Sequence, residues 1–478
     1  MRGQCPAGDA RPANRWACLL FAFALVTASS VSCAWDSPSP TEPRLAGGGA
    51  AADRSNRDEN AISVSSSDEL VAALVPENTG RRIRVLLGTY NVSQPLVVPD
   101  GATLEGEGEM LLDGSGLPTG FAAGTRTTLT MTANTPGDVL TLGNGATVRR
   151  LAIEDLAGRI GNAIGVVSRD AGDHVTATIA EVEISNPNAH SVAPSGPTGC
   201  GVTVLSQNPN LGSDPPAHSG AVITATIARS LIRSPATGTG CGLFAFNFAP
   251  SASVSVTLRS NVVGGGIIAN GGVSRPDAVH DSRTTIHSRR NLYRDDSPDP
   301  CASRHLGWNL TGGSGSPAPL QVPETARNSV RFHSLHDQIE GFTTAILAVG
   351  GRRFFASPIA GPTTANSVDL ALLGTTISTS ACGGATPVAD FRLAGALVSN
   401  ASLVPGEGNT VRGVIRGVTG SGPRYNVYAD VLGPTGPLPA GPPGTGNRLE
   451  IVGNARAFAR TNRAIDPAPG AAFFRGGT

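Results

Sequence analysis

The chain has 478 residues, with 36 basic and 36 acidic side chains and a formal net charge of zero. It is rich in Gly (61) and Pro (36), and only 15% of its residues are charged, against roughly 25% in an ordinary soluble domain. Every basic residue is Arg, which excludes a Schiff-base lysine, a pyridoxal site and a phosphate-loop lysine; the balanced charge argues against nucleic acid as a partner.

Arg2, Arg11 and Arg15 precede an apolar run over residues 17–26, and small residues follow from Ala28 to Ala34. This is the order of a secretory signal, and the run is shorter than the roughly 20 residues that span a bilayer. Ser30-Val31-Ser32-Cys33 resembles a bacterial lipobox, with Ser30 where that pattern prefers Leu. Two outcomes stay open: lipidation at Cys33, or ordinary signal cleavage nearby. Residues 34–60 are rich in Ser, Pro, Gly and Ala and read as a flexible linker. The expectation is a leader over residues 1–33, a linker over 34–60 and a single monomeric domain over 61–478. The product is exported to the cell envelope or beyond, touching membrane only through a lipid anchor.

From Ile62 the character changes. Ser66 and Glu69 have capping-box spacing, and Leu70, Val71, Ala73 and Leu74 predict one short amphipathic helix, ended by Pro76 and Gly80. Extended segments follow to Val98, then the turn Pro99-Asp100-Gly101. Beyond it, short Val/Ile/Leu/Thr runs alternate with Gly, Pro, Asn and Asp turns, which predicts an all-β fold.

Repeats select the architecture. Asp100-Gly101-Ala102-Thr103-Leu104 recurs as Asn144-Gly145-Ala146-Thr147-Val148, and Thr176-Ala177-Thr178-Ile179-Ala180 recurs identically from Thr224. A strand restarts after Asn328, Asn366, Asn409 and Asn447. Units of about 40 residues at near-constant offset suit a solenoid, whose coils present the same residue types to their neighbours. Cys200 and Cys241 share a Thr-Gly-Cys-Gly context, 41 residues apart. They are expected at the same position of adjacent coils, close enough for a disulfide, with residues 208–220 looping out between them. Cys301 and Cys382 also remain after the leader, so three pairings stay open.

The helix, then Gly88-Thr89-Tyr90, then residues 96–108, resemble the opening of a right-handed parallel β-helix of the pectin-lyase-like superfamily. The resemblance implies that fold, with a capping helix at its start. It implies function poorly, because the fold carries lyases, hydrolases, adhesins and scaffolds.

The site signals are sparse. A polygalacturonase-like site needs paired acids and a Lys-containing motif, and only Asp295-Asp296 is present. The richest ionisable stretch runs from Asp277 to Asp299, and from it Asp281, Arg289, Asp295 and Asp296 are the candidate catalytic residues. Calcium enters only for a lyase, since it takes 6–8 oxygen ligands; otherwise no cofactor or metal is expected. His287 and His333 have similar surroundings 46 residues apart and read as one solvated face. The functional expectation is an exported binding or structural module with a polysaccharide partner. The alternative is a polysaccharide lyase or glycoside hydrolase acting on an acidic polysaccharide. An enzyme would gather carboxylates and arginines in one cleft along a parallel sheet.

Overall fold

The computed structural model describes residues 61–131, 137–154, 162–185, 199–206, 219–233, 241–274, 278–296, 305–315, 324–353, 363–380, 389–398, 406–420, 425–427, 431–432, 446–453 and 473–476. The leader, the linker, Cys301, Cys382 and most of the loop at 208–220 lie outside these residues. The described chain is a right-handed parallel β-helix. Three parallel sheets of 13, 10 and 12 strands, here A, B and C, run its length. One coil shows the path: Ala146–Arg149 in sheet A, Ala152–Glu154 in B, Ile164–Val167 in C, then His174–Ala180 back in A.

The middle strands of sheet A alternate inward apolar and outward, more exposed residues, as period-2 geometry requires, whereas sheet-C strands such as Cys200–Leu205 and Cys241–Phe246 are buried at every position. In Val222–Ala228 the buried residues are Ile223, Ala225 and Ile227. The sequence repeats meet in register: Thr176 to Ala180 pair with Thr224 to Ala228, Thr103 with Thr147, and Cys200 with Cys241. Those cysteines form a disulfide with Cα atoms 4.4 Å apart. Larger side chains fill one core layer, where Tyr293 meets Trp308 edge-on at 5.3 Å and Trp308 packs on Phe332 at 4.3 Å.

The helix Ser67–Ala73 covers the start of the solenoid, burying Leu70 and Ala73. Ser66 caps it by accepting the Glu69 amide at 3.2 Å. The Glu69 carboxylate reaches back to the Ser65 amide at 2.7 Å, one residue before the position a capping box uses.

Two turns hold each coil. Between A and B a single residue takes a left-handed conformation, at Arg150, Glu181, Arg229, Ser260, Arg290 and His336 in successive coils. Its N–H donates to the end of the next sheet-A strand, as Arg229 does to the Arg259 carbonyl at 3.0 Å. Between C and A, the restarting asparagines form a buried ladder. The Asn328 amide donates to Asn366 Oδ1 at 2.9 Å, Asn366 to Asn409 and Asn409 to Asn447 both at 3.0 Å. Each side-chain NH2 also donates back to the preceding turn, Asn366 to the Thr325 carbonyl at 2.9 Å. These bonds satisfy corner groups that have no partner within their own coil.

One element departs from the all-parallel expectation. Met110–Leu112 and Pro118–Phe121 form an antiparallel hairpin between the A and B strands of one coil. Asp113 Oδ1 accepts the amides of Ser115 at 2.8 Å and Leu117 at 3.0 Å, an Asx turn that reverses the chain.

Candidate ligand-binding face

Sheet A has a solvent face whose chemistry changes along the axis. Outward residues stack in columns because neighbouring strands are in register. One column reads Thr103, Thr147, Thr178, Thr226, Thr257, His287, His333, Ala371. β-Branched threonines fit an outward strand position, so the first half of the column needs no ligand to explain it.

The middle coils differ. In Arg283–Arg289, burial of Thr284, Ile286 and Ser288 leaves Arg283, Thr285, His287 and Arg289 outward. Arg259 pairs directly with Arg289 in the preceding coil, and Arg331 with Thr285 in the following one. Arg290, in the left-handed corner (φ 54°), follows at once. All five guanidinium-bearing residues are exposed. Among the described residues the carboxylate at hand is Asp369, 3.9 Å from Arg331. Among the described residues no ion pair engages Arg259, Arg283, Arg289 or Arg290. Unpaired like charges this close repel one another, so the arrangement favours an anion arriving from outside.

The two histidines stack within this platform, ring centroids 5.0 Å apart at 49°. Partial burial against each other lowers the pKa of both. For His333, His287 and Arg331 add to that lowering, and Asp369 opposes it.

Of the sequence candidates, Arg289 belongs to the platform and the three acids do not. Asp281 sits at the C–A corner (φ 59°), gripped by Arg327 through two 2.8 Å bonds and by His280 at 2.9 Å. The Arg327 hydrogen bond, then that of His280, hold its carboxyl at about 2. Asp295 and Asp296 follow the sheet-B strand Leu292–Arg294. Asp296 pairs with Arg294. Asp295 is buried, its carboxylate 2.7 Å from Nδ1 of the equally buried His305. Asp281 and Asp295 therefore occupy different corners of the coil, and the four candidates form no common site. Sequence reasoning passed over Arg259 and Arg331 as platform members. Arg259 stacks on Arg289 across a coil of 30 residues, shorter than the units of about 40 that the repeats give, so the offsets alone do not bring the two together.

A cavity of about 290 Å³ opens at the C–A corner of earlier coils, between Asp100, Asn144, Arg169, Asp170, Asp173 and His174. Its carboxylates build turns. Asp173 accepts the amides of Arg169 at 2.7 Å and Asp170 at 2.8 Å, and Asp100 that of Asn144 at 2.8 Å. Three acids against one Arg make it a poor seat for an acidic ligand. Among the described residues no three His, Cys, Asp or Glu side chains are grouped to hold a metal ion.

No family model matches the chain, and none of the curated proteins does. Among solved structures, the endo-xylogalacturonan hydrolase from Aspergillus tubingensis is similar at 10% identity, over 87% of this chain and 99% of that one, with a TM-score of 0.33. A likeness at this level carries no argument about what the chain does.

Proposed function

We propose that the protein binds an acidic polysaccharide at the cell envelope, laid along sheet A across Arg259, Arg289 and Arg290. The observation that carries this reading is the platform of exposed, unpaired arginines on adjacent rungs. A guanidinium takes a carboxylate or sulfate through two parallel hydrogen bonds. Rungs about 4.8 Å apart offer one such contact after another to a polymer running along the axis. Hydroxyls at Thr226 and Thr257 continue the face and suit sugar hydroxyls, since each both donates and accepts. Along the sheet-A strands from Val222 to Leu373 no Phe, Tyr or Trp is exposed, so recognition on this face is ionic and polar rather than by ring stacking.

Affinity electrophoresis tests this with polygalacturonate, dextran sulfate, neutral dextran and duplex DNA. Both acidic glycans should retard the protein and neutral dextran should not. Retardation should fade as salt rises, and Arg289→Ala with Arg259→Ala should abolish it. Equal retardation by neutral dextran, none by either acidic glycan, or a preference for DNA would overturn the reading.

A second reading, cleavage of the same polymer, is favoured by the buried Asp295–His305 pair, which lies one sheet-B strand beyond Arg290. A carboxylate that holds an imidazole is the arrangement of a general base. New reducing ends would mark hydrolysis and unsaturated ends a lyase. Neither appearing would leave binding alone.

A further inference from the structure

The two histidines are placed where a ligand on the arginines would touch them. His287 precedes Arg289 by two residues, so both point outward from the same strand. His333 is its register partner in the next coil. The charged groups around the pair can be named strand by strand. Its own strand carries Arg283 and Arg289; Ser253–Arg259 supplies Arg259; Ser329–Leu335 supplies Arg331; Ser367–Leu373 supplies Asp369. Four guanidiniums and one carboxylate face two imidazoles. This field disfavours a cation such as a metal ion or a protonated ring, and it reverses once a polyanion neutralises the arginines.

We propose that His287 and His333 form a pH-gated anion subsite that extends the arginine platform, holding a second carboxylate or sulfate of the same polymer when protonated. The proposal rests on the polyanion reading and adds its regulation. The sign follows from linkage. Near neutral pH both rings are uncharged, and the arginines bind alone. Because burial lowers both pKa values, the free rings gain protons only below the ordinary imidazole range; a polyanion lying over them favours the protonated form, so binding takes up protons and tightens as pH falls. With both rings at one site the steps belong to the pair and not to either ring.

Dextran sulfate is the probe, because its sulfates stay ionised across the range and the ligand's own charge does not change. At constant ionic strength, affinity at pH 5 should exceed that at pH 7.5, by up to about tenfold for each unit by which binding raises the pKa of a ring. The double variant His287→Gln, His333→Gln should lose the gain at pH 5, read as the ratio of its own affinities at the two pH values. His336→Gln, at the neighbouring corner, and His174→Gln, at the cavity, should keep the gain. Both rings are on the surface, and equal melting temperatures of parent and variant would confirm an intact fold. As an independent readout, histidine proton resonances should show the pKa of His287 and His333 rising when dextran sulfate is added. Binding that is independent of pH, or a pH gain that survives in the double variant, overturns the subsite and leaves the arginine platform standing. Binding absent at both pH values overturns the polyanion reading and the subsite with it.

Discussion

The A–B corner of the solenoid exists in two electrostatic versions on one backbone. In the earlier coils Arg150 bonds Glu181 at 3.2 Å, Glu181 bonds Arg229 at 2.6 Å, and Glu105 takes Arg82 and Arg149 at 2.7 Å each. In the middle coils the same column continues as Ser260 and Arg290, with Arg259 and Arg289 beside it and no carboxylate paired to Arg259, Arg289 or Arg290 among the described residues. The backbone does not register the change. Arg150, Ser260 and Arg290 have φ of 55°, 52° and 54°, and each N–H finds the next strand's carbonyl at 3.0–3.2 Å. What the corner requires lies inside it. Ser230 donates its amide to Asn261, Asn261 to Asn291, and Asn291 to Asp337, all within 2.9 Å. The outward residue is left free, and its charge answers to whatever the surface meets.

The largest effect that separates the two versions is expected in stability. Glu105 is 5% exposed and neutralises Arg82 and Arg149. Glu105→Gln should cost about 1–3 kcal/mol, below the roughly 3–5 kcal/mol of a fully buried pair because Arg82 and Arg149 are each 37% exposed and screened by solvent, and should leave glycan affinity unchanged. Arg289→Ala should move stability by less than about 0.5 kcal/mol while weakening binding. Matching melting curves for the two variants would erase the distinction.

A smaller effect is expected from writing one version onto the other. Ser260→Glu puts a carboxylate between Arg229 and Arg290, as Glu181 stands between Arg150 and Arg229. Affinity for dextran sulfate should fall about tenfold, or roughly 1.4 kcal/mol, with thermal stability held or raised. Unchanged affinity would mean that the polymer does not reach the corner.

The smallest effect is at the opposite corner, where Asp281 and Arg327 pair in the open. The Asp281 carboxyl is lowered from 3.8 to about 2, so its contribution is present above pH 4 and is lost as pH falls towards 2. At 46% exposure solvent screening keeps it below about 0.5 kcal/mol. Acid unfolding of Asp281→Asn should differ slightly from the parent above pH 4 and coincide with it near pH 2. A gap that persists at pH 2 would contradict the pairing.

The sequence was most legible where one coil repeats another. The Thr-Ala-Thr-Ile-Ala repeat, the restarting asparagines, Cys200 with Cys241 and His287 with His333 all became register partners, because a solenoid turns a sequence offset into a direct contact. Elements without a counterpart were illegible. The hairpin at Met110–Leu112 and Pro118–Phe121 interrupts a single corner, and the Asp295–His305 contact joins the end of one strand to the start of another. The arginine platform falls between these cases. Arg259, Arg289 and Arg331 do not share a motif, and their nearness appears once strands are aligned. The acids failed as a site because Asp281 and Asp295 come from two ends of a coil that sequence proximity makes look like one place.

The asparagine ladder has a direction, and the direction is that of synthesis. The Asn328 amide is satisfied by Asn366, which belongs to the coil that follows, and Asn366 in turn by Asn409. No coil in this run can finish its own corner. A chain emerging N-terminus first always presents a newest coil with an unmet donor and an open strand edge, ready to pair with whatever arrives next. For most of its emergence that is its own next forty residues. A stalled or shortened chain would keep that edge, and it would offer it to another copy.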